Sequence, residues 1–468
     1  MARPAATACL LCFSLLAQAC SHGEGAGERA ARPNVVLIVI DTLATADMGV
    51  YEPSLDTTPN LSELASQGTL FLDARSPAPW TLPATASLFT SRYPATHGVL
   101  RFGDNIRSGL PRLADLLQSV GYETLAAVGN GLLRAERGYA VGFDRWEVSE
   151  QGELDSRHLS DQALEWLTKR REDRPFFLYL HFMDPHPPYT HHEEFDRTSS
   201  HVASSLDEEG PEDLTLLREL YREEIAYTDF HIGRVWHHLR DSGLAEETLV
   251  VVTADHGEEF REHGELGHGS NLYRPVLHVP LIIRNPGGKP AVVDGPVSLL
   301  DVAPTIVDLA GEVPETLRGE GRSLATLLEK PERQKPRFLF AETIWGEEIP
   351  IAHDLPQPDP RKQDSSDWIP PLDPPPSRAA LRTGVTHGRW KLIHDQINEW
   401  WELYDLRTDP GERLNLFGGH SEEQRLRERL LDWEREVGAD PAARLRRPEA
   451  LELEPAEVQQ LRALGYVG

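Results

Sequence analysis

Apolar residues in this chain gather in three short, nearly unbroken runs: Asn34-Val-Val-Leu-Ile-Val-Ile40, Phe176-Phe-Leu-Tyr-Leu-His-Phe182 and Thr248-Leu-Val-Val-Val-Thr253. Runs of this length, rich in β-branched and aromatic residues, mark strands buried on both faces, as in a parallel sheet. Each run stops at ionisable residues: Asp41 after the first, Met183-Asp-Pro-His186 after the second, Ala254-Asp-His-Gly257 after the third. Between them the apolar period lengthens to three and four residues. That spacing predicts helices over Pro59–Gln67, Leu110–Val120, Asp161–Lys169 and Asp213–Leu239, the last long and heavily charged. Buried strands alternating with helices predict an α/β fold with a doubly wound, mostly parallel sheet. Ligands of such sheets bind beyond the carboxyl ends of the strands, so the three polar strand ends are expected to converge on one site.

From about Lys335 the texture changes. Ala352 to Arg378 is crowded with Pro, Asp and Ser and reads as a surface insertion. Beyond it, Ala379–Thr383, Trp390–His394 and Glu402–Leu406 are short strand-like segments separated by Thr386-His-Gly388 and Thr408-Asp-Pro-Gly411. Amphipathic stretches over Glu422–Val437 and Glu454–Leu464 complete a small C-terminal α+β subdomain. The expected division is a leader over 1–19, a tether over 20–32, an α/β catalytic domain over 33–334 and the subdomain over 335–468, which carries the Pro-rich insertion 352–378.

Composition narrows the functional classes. Of 468 residues 40% are hydrophobic and 26% charged, a globular balance, and 47 Lys and Arg against 75 Asp and Glu leave a net charge of −28. Such a surface repels phosphate backbones and anionic lipid, so no nucleic-acid partner is expected. The leader differs from the rest. Arg3 and the apolar stretch Ala5–Leu16 read as a secretory signal, ending in Leu16-Ala-Gln-Ala-Cys20. A Cys directly after a small-residue cleavage site is similar to a bacterial lipoprotein box. It implies a secreted or periplasmic protein whose only membrane contact is a lipid on Cys20; plain secretion is the alternative. All three cysteines (Cys9, Cys12, Cys20) fall in this region, which leaves the mature fold no disulfide, thiol nucleophile or Cys-based metal site.

The chemistry must therefore come from oxygen and nitrogen. Carboxylates and imidazoles at the strand ends are hard ligands for a divalent cation, and a bound cation lowers the pKa of a hydroxyl while neutralising an anionic ester. Trp80-Thr-Leu-Pro-Ala-Thr-Ala-Ser-Leu-Phe89 offers the hydroxyl. Thr81 precedes a Pro suited to a helix first turn, at the positive end of the helix dipole.

At these residues the chain resembles the sulfatase family of the alkaline phosphatase superfamily. The resemblance runs through Asn34–Asp41, Thr58-Pro-Asn60, Trp80–Pro94 and His97-Gly98, then His181–Tyr189, Thr253–Glu258, His263-Gly264 and Gly267-His-Gly269. It continues through Asp301-Val-Ala-Pro-Thr305 to Leu403–Glu412, covering nearly all of the mature chain. It implies an alkaline-phosphatase-like fold in which Asp41, Asp255 and His256 hold the metal. Thr81 takes the nucleophile position, and His186 and His268 meet the substrate's oxyanion or leaving group. His181, Asp184 and His263 are expected to be supporting groups, and His191-His192 an exposed loop.

The departures bear on the substrate. Sulfatases carry Cys or Ser in C/S-x-P-x-R, converted to formylglycine; here the motif is Thr81-Leu-Pro-Ala-Thr85, and Thr cannot form that aldehyde. The sulfate-binding lysines of the family correspond to Asn130 and His268. Related metal-dependent phosphoryl-transfer enzymes resemble this pattern, so Asp41, Thr81, Asp255 and His256 imply one Ca, Mn or Mg ion. A two-zinc site drawing on Asp184, His186 and His268 is the alternative. The expected function is hydrolysis of a phosphate or sulfate ester through Thr81, phosphoester favoured, on a small anionic ester, glycan or lipid-headgroup substrate. A true sulfatase using Thr81 directly and a metal-binding pseudoenzyme are the competing readings. The insertion and Thr190–Glu212 are expected to line the mouth of the site.

Overall fold

The computed structural model describes residues 32–148, 155–195, 214–311, 319–345 and 380–438. The leader with Cys20, the tether up to residue 31, the 352–378 insertion, the Glu454–Leu464 stretch and most of Thr190–Glu212 lie outside the described residues.

Eight strands form the central sheet: β1 (Asn34–Ile40), β2 (Thr69–Arg75), β3 (Glu123–Val128), β4 (Arg145–Val148), β5 (Phe176–Phe182), β6 (Thr248–Ala254), β9 (His278–Arg284) and β10 (Ala291–Ser298). A two-stranded ribbon, β7 (Glu259–Phe260) with β8 (Leu266–Gly267), lies between β6 and β9 in the chain. The strand order is β10-β2-β9-β6-β1-β5-β3-β4, and all neighbours run parallel except β9, which is antiparallel to both β2 and β6. The expected mostly parallel α/β sheet is what the chain forms.

The three continuous apolar runs occupy its centre. β5 and β6 are buried at every position and β1 at all but Asn34. Ile40 pairs with both Phe182 and Ala254, so the three strands end at one level. The residues that follow are thereby delivered to one place, as Asp41 N–H donating to Phe182 C=O at 2.8 Å shows.

The helices are α1 (Pro59–Ala65), α2 (Thr81–Thr90), α3 (Pro94–His97), α4 (Leu113–Ser119), α5 (Ser156–Lys169), α6 (Leu214–Asp241), α7 (Arg274–Leu277), α8 (Val302–Leu309), α9 (Ala325–Glu329) and α10 (Glu423–Glu436). α4 begins three residues later than its periodicity suggested, beyond Pro111, with Asp115 accepting from the Arg112 N–H. α5 begins five residues earlier, because Asp155 caps it by accepting from His158 N–H. Among the described residues no helix is long and apolar enough to cross a membrane.

The second sheet is antiparallel: β11 (Phe338–Trp345), β12 (Ala380–His387), β13 (Trp390–Asp395) and β14 (Trp400–Asp405), in that order. α10 covers it through Leu426, Leu430 and Trp433, and the same apolar cluster includes Tyr93 and Leu300 of the first layer. A buried Lys391–Glu412 ion pair ties the same region together, with Glu412 also accepting from Arg274 N–H.

Candidate active site

Thr81 is the first residue of α2, a helix whose ten residues are all buried. Trp80 before it is extended, so the chain turns into the helix at Thr81 and sets its hydroxyl at the positive end of the dipole. Tyr139 OH donates to Leu82 C=O at 2.8 Å, and His97 Nε2 lies 3.1 Å from Pro83 C=O and 2.9 Å from Ser87 Oγ. The first turn of α2 is thus pinned from outside.

The structure brings the expected groups together around that hydroxyl. Thr81 Oγ1 lies 3.5 Å from each oxygen of Asp41 and 3.3 Å from His256 Nε2. His256 Nε2 in turn lies 3.4 Å from Asp41 Oδ1 and 3.7 Å from Asp255 Oδ2. One ligand atom each from Asp41, Asp255 and His256 falls within 4.8 Å of the others. All three residues, and Thr81, are fully buried.

The donor set fits a hard divalent cation on two further observations. Asp255 Oδ1 accepts from His256 N–H at 2.8 Å, while Asp255 Oδ2 is buried without a hydrogen-bond partner. His256 Nδ1 lies 3.0 Å from Gly257 C=O, to which it donates, and this leaves the Nε2 lone pair facing the carboxylates. Burial, and then the nearby His268, push the His256 pKa well below its usual value, which keeps that lone pair available. The two carboxylates are driven apart. Burial and the charge of Asp41 push Asp255 up, whereas for Asp41 the His181 hydrogen bond and the histidine charges overcome burial and hold it down. Two buried carboxylates facing each other across imidazole nitrogens make a donor set of the kind that holds a cation.

Backbone geometry supports this convergence. Thr42, directly after Asp41, sits in the left-handed region at φ 57, a strained place for a β-branched residue. Its Oγ1 donates to Pro185 C=O at 2.8 Å, and its own C=O accepts from Tyr221 OH at 2.8 Å. Gly257 is required on steric grounds: a Cβ there would meet Pro275 C=O at 2.1 Å.

His268 and His186 flank the centre. The His268 ring is 4.4 Å from that of His256 and 5.0 Å from that of His186. His268 Nδ1 lies 3.1 Å from Glu258, which also accepts from Tyr189 OH at 3.4 Å. Burial opposes charging His268, yet Glu258 outweighs it and raises the pKa. For His186 burial wins and the pKa falls.

Asn130 and the His191-His192 pair depart from expectation. Asn130 is in the centre, donating to Asp41 Oδ2 at 2.6 Å and lying 3.5 Å from Thr81 Oγ1. His181, read as a supporting group, has Nε2 3.3 Å from Asp41 and 3.9 Å from Asp255. His191 and His192 are not an exposed loop: they pair with buried Glu223 and Glu224 of α6 at 2.8 and 2.7 Å. Asp184 is turned away onto α5, accepting from Ser156 Oγ at 2.6 Å, and among the described residues no cluster of ligand atoms includes it. His263 stacks on Tyr273 at 3.7 Å. Glu258 carries no signal of its own in the sequence beyond its place ten residues before His268.

A mixed sheet with an acidic metal-type centre and a hydroxyl on a helix N-terminus defines the class: an alkaline-phosphatase-like ester hydrolase. The family model for sulfatases matches residues 33–312, more than half the chain, and the protein belongs to the sulfatase family. It is 28% identical over 448 residues to a protein of Escherichia coli named uncharacterized sulfatase YidJ, covering 82% of this chain and 83% of the relative. It is 24% identical over 498 residues to N-acetylglucosamine-6-O-sulfatase of Bacteroides thetaiotaomicron, covering 84% of each. A crystal structure of a phosphonate monoester hydrolase of Agrobacterium radiobacter shares the fold with a TM-score of 0.66 at 21% identity, over 87% of this chain and 96% of that one.

Proposed function

We propose that this sulfatase-family hydrolase uses Thr81 as a nucleophile to cleave a phosphoester, with a divalent cation held by Asp41, Asp255 and His256. The observation that carries the reading is Thr81 Oγ1 at 3.3 to 3.5 Å from His256 Nε2 and both Asp41 oxygens, at the start of a buried helix. When bound, the cation supplies charge neutralisation of the ester and a lowered pKa for the hydroxyl. Thr81 Oγ1 gives up its proton to the acceptors around it, His256 Nε2 at 3.3 Å or an Asp41 oxygen at 3.5 Å, and bonds to phosphorus as the bond to the leaving oxygen breaks. His268, whose pKa Glu258 raises, hands a proton to that oxygen, and in the second step takes one from the water that cleaves the Thr81 ester. Asn130 holds Asp41 in place throughout.

Phosphoesters rank above sulfate esters because Asn130 and His268 stand where the resembled family uses lysine, and because phosphate offers more anionic charge to the cation. Sulfate-ester cleavage is the second reading, favoured by likeness to named sulfatases over more than four fifths of the chain. Secretion and a lipid on Cys20 belong to the proposal and rest on the leader.

The test is a panel of aryl phosphates, phosphate diesters, phosphonates and sulfates with metal-replete protein and its Thr81→Ala and Thr81→Ser variants. Thr81→Ala should lose at least about three orders of magnitude in turnover, and Thr81→Ser should retain a measurable part. Turnover surviving in Thr81→Ala makes Thr81 a helix-start residue only. Sulfate esters cleaved faster than every phosphoester reverse the ranking, and no turnover on any ester is the pseudoenzyme outcome.

A further inference from the structure

Away from the centre around Thr81, α5, α6 and the short turn at Glu193–Phe195 line an open polar cavity of about 230 Å³. Among the described residues, none that lines it belongs to the centre described above. One wall is aromatic: Phe195 packs against Tyr227 at 5.9 Å and against Phe230 at 5.8 Å. Phe230 is 48% exposed, an unusual cost for a large ring on a helix whose other face is buried. Tyr227 is held rigid, stacked on His192 at 4.0 Å with its OH donating to Asp155 at 3.1 Å.

The opposite wall is charged but balanced. Arg234 is fixed by Asp161 at 2.5 Å and Ser160 Oγ at 2.8 Å. Arg157 and Glu194 also line the cavity, and neither side chain makes an ion pair or hydrogen bond among the described residues. Among the described residues two guanidinium groups thus face two carboxylates. Burial, and then Arg234, hold His231 at about 4, so it adds no charge near neutrality. A net-neutral wall with free donors and free acceptors does not select an anion or a cation. It suits a ligand that is itself neutral and carries both kinds of group, with an apolar face for the rings.

We propose that this cavity is a carbohydrate subsite that takes one uncharged pyranose ring, its C–H face on Phe230 and its hydroxyls between Arg157 and Glu194. The volume admits one sugar unit. The cavity flanks the segment that leaves His186, because His192 of that segment stacks on its Tyr227 wall. An occupant here would be a sugar distant from the bond being cleaved, or a separate glycan held beside the enzyme. The inference does not depend on Thr81 or on the type of ester cleaved.

Saturation-transfer NMR on the full protein, with the methyl glycosides of glucose, galactose and mannose as probes and choline and inorganic phosphate as controls, tests it. At least one glycoside should receive saturation on its ring C–H protons. Its dissociation constant should rise about ten-fold or more in both Phe230→Ala and Arg157→Ala, with melting temperature unchanged because both residues are at the surface. Phosphate should not displace it. The proposal is overturned if no glycoside binds, if either variant binds the glycoside as tightly as the parent protein, if phosphate competes with the sugar, or if choline or phosphate alone binds in a way that Arg157→Ala or Phe230→Ala abolishes.

Discussion

Asn130 donates its side-chain amide to Asp41, Nδ2 to Oδ2 at 2.6 Å, and its own Oδ1 accepts from Leu132 N–H at 3.0 Å. The second bond fixes which end of the amide faces the carboxylate, so the donor cannot turn away. A residue that looks in sequence like a lost substrate contact is in the fold a clamp on a metal-type ligand. A lysine there would compete with the cation for Asp41, whereas a neutral amide orients the carboxylate without neutralising it.

Asn130→Ala should therefore reduce kcat rather than raise KM. A hydrogen bond to a buried carboxylate is worth about 1.5 to 3 kcal/mol, which converts to a loss of roughly ten- to a hundred-fold in turnover. Steady-state kinetics on metal-saturated protein measure the split. An unchanged kcat with raised KM would return Asn130 to the substrate side.

Metal removal has a signature beyond activity. A chelator should lower the melting temperature of the parent protein, since a cation that binds only the folded chain stabilises by mass action. Asp255→Asn should bind no metal and show no chelator effect. It should also melt at or above the stripped parent, because it relieves the Asp41–Asp255 repulsion in a fully buried pocket. Calorimetry with and without chelator, alongside elemental analysis, decides; an equal chelator shift in both proteins means that the ligands lie elsewhere.

Much of this centre was legible in the sequence, and the reason is local. β1, β5 and β6 carry unbroken apolar runs, so their ends at Asp41, Met183 and Asp255 were visible without knowing the topology. β2 and β10 were not, because Asp73 and Asp294-Gly-Pro296 interrupt them, and both show register shifts where they pair. β9 hides behind Pro280 and two flanking polar residues. Thr81 was found through its helix start. His181 sits on the central strand β5, and only the pairing Val39↔His181 places its ring beside Asp41. Glu258 becomes meaningful only once the β7–β8 ribbon folds His268 back over it. His191 and His192 looked exposed because their partners, Glu223 and Glu224, are thirty-two residues away on a helix whose charges read as a solvated face.

The Glu258–His268 pair predicts a dependence on the leaving group. If His268 protonates the departing oxygen, Glu258→Gln should hardly affect a nitrophenyl ester, which leaves unaided. An alkyl ester should slow by about a hundred-fold or more. Measuring kcat across aryl and alkyl esters of graded leaving-group pKa gives the slope, which should steepen in Glu258→Gln and in His268→Ala. If only His186→Ala steepens it, the acid is His186.

The buried histidine packed against α2 makes stability depend on pH. His97 is fully buried, and burial, opposed by the Pro83 carbonyl and aided by Arg107, pushes its pKa down to about 3 from a model-peptide value of 6.5. Between those values the unfolded chain holds the proton and the folded chain does not, so stability rises with pH across this window. The contribution is complete above about pH 6.5 and drains as the pH falls toward 3, at up to about 1.4 kcal/mol per pH unit from this one group. His97→Gln loses the contacts to Ser87 and Pro83 and should be less stable than the parent near neutral pH. Its decline on acidification should nevertheless be shallower, by about 2 kcal/mol between pH 7.5 and pH 5. Urea unfolding of both proteins at the two pH values measures the difference. Equal declines would mean that His97 can be protonated without unlatching α2, and that acid sensitivity arises at another buried imidazole, with His278, also held at about 3, next to be replaced.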